Sequence, residues 1–183
     1  RPMISVEEAL EKILGYFQGL EKEDRPLLES LGQVLAEDIY STIDVPPADN
    51  SAMDGYAVKA ADTTGASPST SRILQVIGEV AAGALALQPV HAGTAVRIMT
   101  GAPIPPGADT VVPFEDTDEI GHRERLRSFP FPIGILRQTP EDSNIRRAGE
   151  DVPRGILVLE KGTELRPSHI GILASLGRQA VPV

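Results

Sequence analysis

The chain has no cysteine and no tryptophan, and only three tyrosines and four phenylalanines among its 183 residues. Without cysteine there can be no disulfide framework, no thiolate metal site and no cysteine nucleophile, which suits a reducing compartment and makes the cytoplasm the expected location. The scarcity of aromatic rings leaves little to stack on bases, and a net charge of -9 repels nucleic acid and anionic membranes. Neither is expected as a partner. The longest near-apolar run, "VAAGALAL" at 80–87, is far too short to span a bilayer, and the amino end lacks the basic, then apolar, then small-residue order of a signal peptide. Glycine (17) and proline (16) are what the chain has in excess. That composition points to a turn-rich, β-dominated protein with enough length for a substantial core.

Ser5 and Glu8 stand at capping-box spacing, and Val6, Ala9, Leu10, Ile13, Leu14 and Phe17 recur at helical intervals, so the chain should open with an amphipathic helix whose apolar stripe needs a partner surface. A short helix stopping near Gly32 and a strand through Leu35 to Tyr40 are predicted next. "YAVKA", "RILQVIGEV", "TAVRIMT" and "DTVVPFE" then read as short strands separated by Gly, Pro and Asp. Residues 117–147 mix charge with proline and are predicted to form a hairpin or a flexible excursion. The chain closes with a strand in "GILVLE", a helix opened by Pro167 and stopped by Gly177, with Ile170, Leu173 and Ala174 inward, and a last strand "RQAVPV". That strand runs to Val183, which suggests a cut at a domain boundary.

Three stretches can carry chemistry. In "DNSAMDGYAV" (49–58), Asp49 and Asp54 can cap backbone amides or face a ligand, and Gly55 is predicted to supply the positive φ of a tight turn. The spacing fails for an EF-hand, because neither the sixth nor the twelfth position carries the required residue. In "RIMTGAPIPPGADTVV" (97–112), Thr100 and Gly101 follow a strand, where backbone amides and a hydroxyl could converge on an anion; an ordinary turn is the plainer reading. The lysine and glycine spacing of a P-loop is missing. In "NIRRAGEDVPRG", Arg146 and Arg147 could hold a phosphate and Asp151 could ligate Mg²⁺, or the segment could be a solvated turn. His91, His122 and His169 lack ligand spacing and read as structural or surface residues.

Taken in order, "VPPADNSAMDGYAV", "VRIMTGAPIPPGADTVV", "NIRRAGED" and "GTELRPSHIGILASLG" resemble the amino-terminal region of the molybdopterin molybdotransferases, to which the carboxy-terminal half of gephyrin is similar. The resemblance covers nearly the whole chain, with 117–143 carrying no recognisable pattern. It implies a mixed, β-rich fold with an α/β part. An amino-terminal helix over 1–20 would pack on an absent third domain, 21–45 and 148–183 would form a split α/β subdomain, and 46–147 would be an inserted β-rich subdomain. It further implies an enzyme of molybdenum-cofactor assembly that, with Mg²⁺, inserts molybdate into adenylylated molybdopterin. The active cleft would be shared across a homodimer, and other assembly proteins would be partners. By motif, Asp54, Thr100 and Asp151 would be catalytic, Asp54 and Asp151 would position Mg²⁺, Thr100 and neighbouring amides would orient a phosphate or molybdate oxygen, and Ser51, Gly101 and Glu150 would flank the cofactor precursor. The Thr-Gly-Asp-Glu motif that cradles the precursor in the family is not in this sequence, so the chain is expected to be an inactive portion of the full enzyme. A non-catalytic scaffold or dimerisation module is the alternative, with gephyrin as its precedent.

Overall fold

A computed structural model describes residues 4–85, 88–121 and 128–183. Their contacts divide the chain into two units, Arg1–Tyr40 with Leu157–Val183, and Ser41–Ile156. In chain order the elements are α1 (Val6–Leu14), β1 (Asp24–Pro26), β2 (Ile39–Tyr40), β3 (Asn50–Ser51), β4 (Gly55–Val58), β5 (Arg72–Val80), β6 (Thr94–Ile98), β7 (Thr110–Pro113), β8 (Phe131–Ile135), β9 (Ile145–Arg146), β10 (Leu157–Leu159), α2 (Pro167–Ser175) and β11 (Ala180–Pro182).

The first unit has two small antiparallel ladders, β1 with β11 and β2 with β10. Its core is Leu27, Leu35, Ile39, Leu165, Leu173 and Val181. The capping box on α1 forms as predicted: the Ser5 hydroxyl accepts from the Glu8 amide, and the Glu8 carboxylate accepts from the Ser5 amide. The helix ends at Leu14, and no residue of it is buried, so its apolar stripe lies open. Leu27–Glu29 form only a 3₁₀ turn, and Leu35 to Tyr40 is strand only at its end. On α2 Leu173 is buried and Ile170 packs half-buried against the core, as predicted, whereas Ala174 is exposed and Leu176, just beyond the helix, is buried in its place. His169 uses its ring Nδ1 to accept from the Arg166 amide (3.3 Å), a helix-capping role. His91 is exposed, and His122 lies outside the described residues.

The second unit is built on a five-stranded sheet in the order β7-β4-β6-β5-β8, antiparallel except for the β5–β6 pair. Strand alternation sends Tyr56, Ala95 and Val112 into one core cluster, and Ala57, Val96 and Val111 into another. Both faces of the sheet are therefore covered, and all four residues of β4 are buried. A register shift between Val76 and Gly78 adds a residue to β5. It moves Val80 to the cluster opposite that of Leu74 and Val76, despite their shared parity, and turns Glu79 to pair with Arg97. The stretch 117–147, expected as a hairpin or excursion, supplies β8 at the sheet edge, where Pro132 costs no ladder hydrogen bond on the open side.

Gly55 does not have the positive φ expected of it. It opens β4, and glycine is required there because a Cβ would sit 2.1 Å from the backbone oxygen of Val112. The neighbouring strand comes too close for any side chain. Gly55→Ala should therefore lower the urea-unfolding free energy of the chain by at least about 2 kcal/mol through overpacking against backbone. An unfolding midpoint equal to that of the unsubstituted chain would contradict the close approach.

Candidate functional site

Pinning β4 between β6 and β7 brings the first two motif turns together. Gly55 stands opposite Ile98 on one side and Pro113 on the other. The residue before it, Asp54, therefore meets the residues that follow β6. Asp54 Oδ1 accepts from the Thr100 amide (2.7 Å) and from the Thr100 hydroxyl (2.8 Å), while the Asp54 carbonyl accepts from the Phe114 amide (3.2 Å). Both side chains are exposed. The Thr100 amide, then its hydroxyl, hold the Asp54 carboxyl below the usual aspartate range, with the Arg97 charge adding to the effect against a small opposing burial cost. Asp54 Oδ2 accepts no hydrogen bond among the described residues.

The anion cradle expected of Thr100, Gly101 and their neighbours is not formed, because its amides are donated inward. Thr100 N–H goes to Asp54, Gly101 N–H to the Ser51 carbonyl (2.8 Å) and Ala102 N–H to the Met99 carbonyl (2.9 Å). Thr100 thus acts on Asp54. Gly101 has a φ of 79°, the left-handed conformation that lets the chain turn back toward Ser51. Ser51 is fully buried; its hydroxyl donates to the Met53 carbonyl and accepts from the Met53 amide (3.3 Å), closing the loop that carries Asp54.

The third motif docks on the other edge of the same loop. β3 pairs with β9, setting Asn50 opposite Arg146 and Ser51 opposite Ile145, and the Ala52 amide donates to the Asn144 carbonyl (2.9 Å). Asp49 accepts from the Ala148 amide (2.8 Å) and pairs with Arg147, which also meets Asp142. Those two contacts, the Ala148 amide first, hold the Asp49 carboxyl below its ordinary range. Glu150 accepts from the Arg147 amide (2.9 Å), and Asp151 pairs with Arg146. Asp54 and Thr100 are therefore in direct contact, whereas Asp151 makes no hydrogen bond to either among the described residues. A groove of about 480 Å³ nevertheless joins the second and third motifs, with Gly101 and Arg146 both in its wall beside Pro46, Pro47, Asn50 and Pro103.

Both arginines proposed for phosphate are engaged with carboxylates, but the Arg146–Asp151 pair is half-exposed on both partners. A pair of this kind contributes little, about 0–1 kcal/mol, and exchanges readily for a stronger anion. No group of three or more His, Cys, Asp or Glu that could hold a metal exists among the described residues. The donor set still fits Mg²⁺, which is commonly held by one or two carboxylates and completed by substrate phosphates and water. Sequence reasoning missed Tyr56, Arg97, Phe114 and Glu119. A charged residue inside the apolar run of β6 was the one available sign of Arg97; nothing marked Glu119.

Comparison with known proteins shows the family. The family model described as MoeA N-terminal region (domain I and II) matches residues 4–177. The chain is 43% identical over 161 residues to molybdopterin molybdenumtransferase 2 of Mycobacterium tuberculosis, covering 86% of this chain and 37% of that protein. It is 39% identical over 183 residues to the molybdopterin molybdenumtransferase of Bacillus subtilis, all of this chain and 41% of the relative. The crystal structure of the molybdopterin biosynthesis moeA protein from Pyrococcus horikoshii OT3 superposes with a TM-score of 0.86 at 39% identity, over 100% of this chain and 46% of that one. The chain spans roughly two-fifths of the length of these curated relatives, and it belongs to the MoeA N-terminal family.

Proposed function

We propose that this chain forms one wall of a site at which molybdate is inserted into adenylylated molybdopterin. The observation that carries the reading is the Asp54–Thr100 pair: a carboxylate kept ionised by two neutral donors of Thr100, with Oδ2 left for a ligand. Asp49 and Asp151, by contrast, are each matched to an arginine.

The reaction breaks the phosphoanhydride of the adenylylated precursor with water, releasing AMP, and joins the two dithiolene sulfurs to molybdate as oxygens leave as water. Asp54 Oδ2, and Asp151 once Arg146 turns to a phosphate, would hold Mg²⁺; when bound, the ion would offset charge on the leaving phosphate. Thr100 keeps the Asp54 carboxylate aimed and charged. Arg146 meets the phosphate from the wall of the groove, whose proline-rich lining suits a flat ring. Gly101 lets the backbone turn without a side chain intruding on that wall. Ser51 and Glu150 hold the loops that carry these groups. The remaining walls belong to residues outside this chain, in a homodimer whose partner completes the cleft. A cytoplasmic setting suits the reaction, and no described helix is long and apolar enough to cross a membrane.

The exposed stripe of α1, with Val6 80% and Leu14 58% exposed, favours an assembly role as a second reading. The two readings separate in a chimera in which this chain replaces the matching segment of the Bacillus subtilis relative. Asp54→Asn and Thr100→Ala should each lower cofactor formation by about a hundredfold or more, the scale of a lost electrostatic contact at the reacting phosphate, with the thermal midpoint unchanged. Unimpaired synthesis in both variants would leave only the scaffold. Incubated alone with adenylylated molybdopterin, Mg²⁺ and molybdate, the chain should yield no active cofactor, since positioning by the missing walls is worth about 7 to 11 kcal/mol of barrier. Cofactor formed under those conditions would refute the shared site.

A further inference from the structure

Behind Asp54 and Thr100 lies a buried polar cluster that the proposed reaction leaves unused. Tyr56 and Arg97 stand opposite each other on β4 and β6. The Tyr56 hydroxyl donates to Glu119 Oε2 (2.6 Å), and Arg97 grips the same carboxylate through Nε (3.3 Å to Oε2) and Nη2 (3.1 Å to Oε1). Arg97 Nη1 reaches Glu79 (3.2 Å), which the extra residue in β5 turns toward it. The guanidinium carbon lies 4.5 Å from the Phe114 ring centroid, and Tyr56 packs edge-on against that ring at 5.6 Å. Tyr56 is fully buried and Glu119 is 6% exposed.

Such a cluster is poorly explained by stability alone, because apolar side chains of the same shape commonly serve a core as well or better. Its position is more informative. Tyr56 is two residues beyond Asp54, and Arg97 is three residues before Thr100. Phe114, the ring both of them touch, donates its amide to the Asp54 carbonyl. Glu119 therefore ties together, through two side chains, the start of the strand that follows Asp54 and the end of the strand that leads to Thr100. The charge count matters too: Arg97 gives its hydrogen bonds to two carboxylates of the cluster, and Asp54 takes its own from the neutral donors of Thr100.

We propose that Tyr56, Glu119 and Arg97 form a positioning device that sets β4 against β6 so that Asp54 stays clasped by Thr100. The inference rests on the function proposed above for that pair. It is tested on the ¹⁵N-labelled chain by hydrogen exchange at the Thr100 amide, which donates to Asp54. Tyr56→Phe, Glu119→Gln and Arg97→Lys should each speed exchange at Thr100 by about tenfold or more relative to the amides of β5 paired with β8. In the chimera, the same variants should lower kcat about tenfold with KM within about twofold, as misaimed reacting groups do. Tyr56→Phe removes one oxygen and keeps the ring, so it reads the device even if a charge substitution fails to fold. Exchange that rises equally at Thr100 and in β5 would mean a merely structural cluster and would overturn the proposal, as would unchanged exchange or unchanged kcat. Failure of the function reading looks different: Asp54→Asn and Thr100→Ala would then leave synthesis intact, whatever the exchange at Thr100 in the cluster variants.

Discussion

The clasp of the Asp54 carboxylate by the amide and hydroxyl of Thr100 is the interaction around which the candidate site is organised. It joins residues 46 positions apart, and it exists only because β4 lies between β6 and β7 with Gly55 against the Val112 carbonyl. The loop over it is closed by the Ser51 hydroxyl and by backbone pairing of Ser51 with Gly101 and Ala102. A hydrogen bond to an ionised group is roughly twice as strong as a neutral one. Two such bonds on one oxygen fix its direction and leave the other oxygen outward.

The molecule treats its clustered carboxylates in two ways. Asp49 is matched with Arg147, a pair that docks the 144–151 segment on the Asp54 loop, and Asp151 is matched with Arg146 within that segment. Asp54 is matched with dipoles. A carboxylate paired to a guanidinium offers little net charge to a cation, whereas one held by neutral donors keeps its full charge and has a direction imposed on it. The depressed pKa of Asp54 also fixes a sign: its contribution to stability is present above the unfolded-state value and is lost as pH falls through the folded value. The side chain is exposed, so solvent screens that contribution. The value of the clasp lies in aim.

Much of the sheet was legible because β5, β6 and β7 are short runs rich in Val and Ile, set apart by Gly, Pro and Asp. The capping box of α1 was legible for the same kind of local reason. Gly55 shows where local reading stops: an Asp-Gly pair reads as a turn, and the true demand comes from a carbonyl 57 residues away. The edge strand β8 was hidden by Pro132, a residue an edge position tolerates because it needs no ladder amide on the outer side. Thr100 was singled out for a ligand and its clasp of Asp54 was not foreseen, since an amide-rich turn cannot reveal whether its donors face a ligand or a neighbouring side chain. Glu119 was invisible, because its partners lie 22 and 63 residues away.

The most direct measurement is the pH titration of the Asp54 carboxyl carbon, followed by ¹³C NMR in the intact chain. The clasp requires its midpoint to fall below the ordinary aspartate range, with the Thr100 amide proton shifting at the same pH as its acceptor is protonated. An Asp54 that titrates like a free aspartate, with the Thr100 amide indifferent to it, would show that the two side chains do not meet and would remove the basis of the site.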